Sequence, residues 1–173
     1  MNKIKDRVIL GIFAGSIGVV AQNVLDEISH LLGISKRSYR TTAAGVWVSS
    51  RKEAESWQGQ LLGLIKNQAL GMLGAIQLVK ILSNSGRKHW LWKGLFYGET
   101  FGAVITGLLS ALPVNKIKAN DASSVLSYCF TNAIYGVVVA GVITKYGDES
   151  LFGTKPKNND LKPASPMSKQ REP

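Results

Sequence analysis

One cysteine, two histidines and five prolines are all that 173 residues contain of these types, and each scarcity removes a class of protein. Cys129 alone can close no intrachain disulfide and build no cysteine-based metal site. Within an apolar run it reads as a small filler. His30 and His89 leave the Ser and Thr of the apolar runs without a nearby base to activate them. Walker A, HExxH, GxSxG and CxxC patterns are all missing, so the expectation is no enzyme, no cofactor and no metal. Acids are also short, 11 Asp and Glu against 21 Lys and Arg, a formal charge of +10. Such an excess invites a nucleic-acid reading. The cations, however, bracket apolar runs: Lys3, Lys5 and Arg7, then Arg87, Lys88 and Lys93, then Lys116 and Lys118. That pattern anchors and orients membrane spans, and no nucleic-acid partner is expected.

What the chain does have is long apolar runs, at about 8–31, 59–82, 90–112 and 122–146. Each approaches the roughly 20 residues that cross a bilayer as a helix. The expected fold is therefore all-α: a polytopic membrane protein with four transmembrane helices as two hairpins in one bundle, residues 1–146. The basic, apolar N-terminus resembles a signal peptide, but Val19-Val20-Ala21 is a poor cleavage site and three runs follow, which favours an uncleaved first helix. The side shared by the N-terminus, the 83–93 loop and the tail carries more Lys and Arg than the other, which puts both termini in the cytoplasm. Segment 33–58 is an extracytoplasmic loop that includes the start of the second helix, because Ser50-Arg51-Lys52-Glu53 has capping-box spacing. Trp57 then falls at the interface. Pro113 ends the third helix and Asp121 N-caps the fourth. From 147 to 173 the chain holds four of its five prolines with alternating charge, the composition of a disordered tail.

Small residues recur at helical spacing. Gly94, Gly98, Gly102, Thr106 and Ser110 form one stripe, and Gly11/Gly15 and Gly59/Gly63 repeat it in the first two runs. In lipid no hydrophobic force joins helices, so close backbone approach and interhelical hydrogen bonds must, and small residues permit both. The stripes suit packing within the bundle, a homo-oligomeric seam or a narrow pathway. Asn67 to Lys80 also aligns without gaps to Asn132 to Lys145, with Asn, Gly and Lys at identical offsets, and Gly11–Gly15 matches Gly94–Gly98. Duplication of a hairpin and chance recurrence in composition-poor helices both produce such a match.

Two groups of polar residues stand out. Glu99 lies about 9 Å along its helix from Lys93, where an ionised carboxylate facing lipid would cost about 3 kcal/mol. It must face the interior, be protonated or pair, with Lys66 and Lys80 as partners; a functional acid and a structural ion pair are both open. In QNVLDEISH, residues Gln22, Asn23, Asp26, Glu27 and His30 share one helical face. This is either the polar side of a helix leaving the membrane or a small cation or proton site, with Lys66 near it. Glu27-x-x-His30 has the spacing of a di-iron pair, but the second copy that chemistry needs is missing. His89, between Lys88 and Trp90, reads as an interface residue.

The segment WKGLFYGETFGAVITGLLSALPVNK from Trp92, with SYCFTNAIYGVVVAG at 127–141, resembles small, uncharacterised four-span inner-membrane proteins of bacteria. They share the tryptophan-led start, the glycine-spaced helix, the proline end and a Tyr-Gly step in the last helix. The resemblance implies the bacterial inner membrane and a link, among some relatives, to acid resistance or stress; it carries no catalytic or ligand residue. The functional expectation is a non-enzymatic membrane component acting through helix packing and assembly, with the lipid bilayer and either a second copy or another membrane protein as partners. The alternative is an ion- or proton-translocating unit built on Glu99 and the Asp26/Glu27/His30 face.

Overall fold

The computed structural model describes residues 3–118 and 121–152. The protein is all-helical, with 78% helix and no strand among the described residues. Helix α1 spans Arg7–Leu31, α2 Tyr39–Ala44, α3 Arg51–Glu55, α4 Trp57–Ser85, α5 Trp90–Ala111 and α6 Ala122–Tyr146, followed by a 3-10 turn at Glu149–Leu151. Three of the helices, α1, α4 and α6, are long and apolar enough to cross a membrane. The fourth long helix, α5, has 22 residues, but Lys93, Glu99 and its glycines dilute its apolar content. The expected third span is therefore present as a helix and falls outside those three.

Caps fix the boundaries. The Asp6 carboxylate accepts from the backbone N–H groups of Val8 and Ile9, both at 2.8 Å, and Asp121 accepts from Ser124 N–H at 3.0 Å, as its N-cap position implies. Leu112 leaves α5 in an extended conformation, the backbone that a following proline imposes. Between α4 and α5 the chain turns through Gly86 and His89 at φ 76° and 60°. Lys93 Nζ donates to the Ser85 and Gly86 carbonyls at 2.9 and 2.8 Å, so a cation closes the negative end of α4.

Segment 33–58 departs from its expected form. Ser50 does cap Glu53 at 3.2 Å, but the helix it starts is the separate five-residue α3. Ser56 is extended, breaks the run and caps α4 through Gly59 N–H at 3.2 Å. The two short helices fold back over the N-terminal part of α4 as a cap: Ala44, Val48 and Ala54 bury against Ile117 and Leu62. Gly59 lies against the backbone of Glu53 and Ala54, and Gly63 against that of Arg40. These two glycines admit the cap and not a long helix.

The other glycines seat long helices on one another. Gly11 lies on Ile76 and Gly15 on Gly71 and Ala75, joining α1 to α4; Gly94 lies on Gly136 and Ala140, and Gly98 on Asn132 and Gly136, joining α5 to α6. In both pairs the numbers run in opposite directions, so the pairs are antiparallel. Gly71 and Gly136, aligned in the sequence repeat, are the crossing points of both. Gly18 against Val139 and Tyr135 joins α1 to α6, whereas α5 reaches α4 mainly through Tyr97 and Phe101, whose rings stack 5.7 Å apart against Gly74, and through Lys93 at Ser85.

The end of the bundle that holds Ile4 and residues 147–152 is the drier one. Leu10, Ala14, Leu78, Val79, Leu82, Val139 and Ile143 are all fully buried there. Ile4 and the chain after α6 zip together, Ile4 N–H to the Tyr146 carbonyl and Asp148 N–H to the Ile4 carbonyl, each at 2.9 Å. Leu151 is buried and Phe152 packs on the core, so the expected disorder from 147 does not hold for 147–152. Residues 153–173, the rest of that expected tail, lie outside the described residues. Leu151→Asp places a charge in this core and should lower the melting temperature in detergent by several degrees.

Candidate functional site: a polar core beneath a folded cap

The polar face of QNVLDEISH is where the cap docks. Asp26 is fully buried, and its Oδ2 accepts from Tyr39 N–H, the first residue of α2, at 2.7 Å. Its Oδ1 has no hydrogen-bond partner. Glu27 pairs with Arg40, and His30 Nδ1 lies 3.0 Å from the Ser35 carbonyl. Three residues within about one turn of α1 thus hold three points of the 35–40 segment. Behind them the Tyr39 and Tyr128 rings meet edge to face at 5.1 Å, and Tyr128 Oη donates to the Arg37 carbonyl at 2.8 Å. Burial pushes the Tyr39 phenol well above its ordinary range, so it stays neutral. A cleft of about 330 Å³ lies beside the cap, lined by Glu27, His30, Lys36, Arg37, Arg40 and Glu55 among others. Among the described residues no three His, Cys, Asp or Glu side chains gather as metal ligands would.

A consequence can be measured. Asp26→Asn keeps an oxygen for Tyr39 N–H and should leave the cap in place. Asp26→Leu strands that buried N–H, a loss of about 1–3 kcal/mol. Trypsin should then cut at Lys36, Arg37 or Arg40 several-fold faster in the leucine variant than in the asparagine variant.

One turn deeper lies a cluster that the sequence reading did not assemble. Gln22 Nε2 donates to Asn132 Oδ1 at 2.8 Å, Asn132 Nδ2 donates to the Tyr128 carbonyl at 2.7 Å, and Asn67 Nδ2 donates to Asn23 Oδ1 at 3.0 Å. Gln22, Asn67 and Asn132 are all buried, one each from α1, α4 and α6. The signal was present in the repeat, which aligns Asn67 with Asn132. Below them the Tyr135 hydroxyl donates to the Gly71 carbonyl, and Tyr97 Oη donates to that of Gly74 at 2.7 Å. The polar chain stops there, against the apolar core at the terminal end. Fully satisfied, such a network fixes which helix faces which.

The remaining expected site residues lie apart. Lys66 Nζ sits 4.1 Å above the Trp47 ring, a cation–π contact on the N-terminal half of α4. Lys80 is exposed. Glu99 is half-buried on α5, its carboxylate against the Cys129 thiol of α6. Among the described residues no ion pair includes it, and neither lysine is its partner. Asp26, Lys66 and Glu99 therefore do not converge. Thr106 and Ser110, at the C-terminal end of the glycine stripe, face the first turns of α6 across a gap and do not seat it as Gly94, Gly98 and Gly102 do. With Gly102, Ala103, Gly107 and Cys129 they line an open groove of about 340 Å³. Comparison of the chain with protein families, with curated proteins and with solved structures finds no match in any of the three.

Proposed function

We propose that the chain is a non-enzymatic membrane protein that works by assembly, presenting the α5–α6 face to another membrane protein. In this reading all four long helices cross the bilayer as two hairpins, both termini lie in the cytoplasm, and the cap lies outside. The likeness to small bacterial inner-membrane proteins belongs to the same reading. α5 can cross because α6 covers Gly94, Gly98 and Gly102, leaving mainly Leu91, Trp92, Phe96, Val104 and Leu108 outward. One observation carries the functional step. The glycines at 11/15, 59/63 and 94/98/102 are consumed inside the bundle or under the cap, while Gly107, on a neighbouring face of α5, meets nothing within 4 Å. It shares its helical face with Glu99, Ala103 and Ser110, at i, i+4, i+8 and i+11. A half-buried acid beside an uncovered small-residue groove suits a partner helix that brings a donor to it.

Cys129 lines that groove and is the chain's one thiol, so it reports on occupancy. In native membranes a lipid-soluble maleimide should label Cys129 several-fold more slowly than in the purified protein, and Gly107→Leu should abolish the difference. Equal labelling in both preparations would remove the reading. Topology is checked separately in a Cys129→Ser background: cysteines at Ser49 and Ser85 should react with an impermeant reagent from opposite sides.

A further inference from the structure

The outer part of α1 and the first turns of α6 leave a second groove between them, of about 420 Å³. Its walls are Leu25, Ile28, Leu32 and Ile34 on one side and Leu126 and Phe130 on the other. Most of these are exposed: Leu32 by 69%, Leu126 by 68% and Phe130 by 60%. The floor makes no polar demand, because the Ser29 and Ser127 hydroxyls satisfy each other at 2.6 Å. The groove has two walls from two helices, unlike the shallow apolar strip farther down α1, which Ile9, Phe13, Ile17 and their neighbours form alone.

At its cap end the groove runs into charge. Ile34 is wall, and two residues on, Lys36 N–H donates to Ser124 Oγ at 3.0 Å. The Lys36 side chain is exposed. Arg37 reaches the Lys118 carbonyl and stands 4.0 Å from Asp121. Glu27 and Glu55, across the neighbouring cleft, are paired with Arg40 and Arg51; Asp121 is the acid at this rim, and its carboxyl is held down at about 2 by the Ser124 N–H and the Ser123 and Ser124 hydroxyls. It offsets one of the three cations Lys36, Arg37 and Lys118. An apolar trough open to the bilayer, ending in net positive charge where the helix leaves it, matches the two halves of an amphiphile.

We propose that this groove binds one anionic glycerophospholipid, an acyl chain between α1 and α6 and the phosphate at Lys36 and Arg37. The partner is a lipid and not a protein helix, because the trough spans only Ser123 to Thr131 of α6, about 12 Å of helix, and then meets cations. A full-length transmembrane partner would have to carry its apolar surface past them.

The test uses the full chain purified in mild detergent, with dioleoylphosphatidylglycerol or dioleoylphosphatidylcholine added in equal amounts and bound lipid counted by native mass spectrometry. The proposal expects one phosphatidylglycerol per chain, retained about tenfold over phosphatidylcholine. Lys36→Gln, at an exposed position that folding does not use, should reduce that preference several-fold, and Lys36→Gln with Arg37→Gln should remove it. Leu126→Trp, which fills the trough, should lower retention of both lipids. Equal retention of the two lipids overturns the proposal, as does a preference unchanged in the double variant whose melting temperature is normal. A rise in melting temperature with glycerol 3-phosphate as large as that with phosphatidylglycerol also overturns it, since the trough would then contribute nothing.

Discussion

Gly98→Leu should separate α5 from α6 and lose the folded bundle. Even a methyl group at Gly98 would run into the Asn132 carbonyl and the Gly136 backbone, and backbone has no rotamer to yield. Gly98→Ala should therefore already cost about 1–3 kcal/mol, and leucine more than the α5–α6 contact can supply. The loss spreads because α5 has little else to hold it: beyond α6 it meets α4 mainly through Tyr97, Phe101 and, in its first turn, Lys93. The control sits nine residues on. Gly107 has open space around it, so Gly107→Ala should be neutral or stabilising by up to about 1 kcal/mol from helix propensity. Thermal unfolding in detergent, read by circular dichroism and by size-exclusion elution, distinguishes the two. If both alanine variants melt alike, the backbone contact at Gly98 is not what seats the helix.

Asn132→Leu should rank next. Asn132 accepts from Gln22, donates to the Tyr128 carbonyl and packs beneath Gly102, so one side chain ties α1, α5 and α6 together. Leucine leaves the Gln22 amide buried without its acceptor, at about 1–3 kcal/mol, and presses a branched side chain onto Gly102. A fall in melting temperature of about 5 °C or more is expected. Gln22→Leu with Asn132→Leu removes donor and acceptor together and should lose less than the sum of the single changes. Strict additivity would mean that the two amides do not work as a pair.

The parts of the fold that were legible in the sequence are those set by local chemistry. Apolar length gave the long helices, the side chains of Ser50 and Asp121 gave caps where they were expected, and glycine spacing gave the α1–α4 and α5–α6 contacts. What was not legible depends on how elements meet in space. Ser56 looks like any serine in a helical run; it breaks the run because α3 folds back onto Gly59. Gly59 and Gly63 have the spacing of a helix seam, yet the backbone brought to them belongs to the cap. The face of Asp26, Glu27 and His30 was read as a helix leaving the membrane or as an ion site. Its actual neighbours come from residues 35–40, which carry no pattern that names α1 as their dock. Glu99 raised a question of partners, and its nearest lysines in depth lie on α4, while its carboxylate turns toward Cys129 on α6.

The same geometry is what the proposed assembly role rests on. Gln22, Asn67, Asn132, Tyr135 and Tyr97 spend their polar groups on one another and on backbone carbonyls, and Leu10, Leu78, Leu82, Val139 and Ile143 fill the section below them. A protein that works by assembly needs that rigidity, whereas a translocating unit needs polar groups along the whole thickness. Proton flux in vesicles reconstituted with the full chain, followed with an internal pH dye under an imposed gradient, puts the difference most directly. The account predicts a rate equal to that of empty vesicles for the unmodified protein and for Glu99→Gln alike. A flux above that level which Glu99→Gln abolishes, with insertion unchanged, would contradict it.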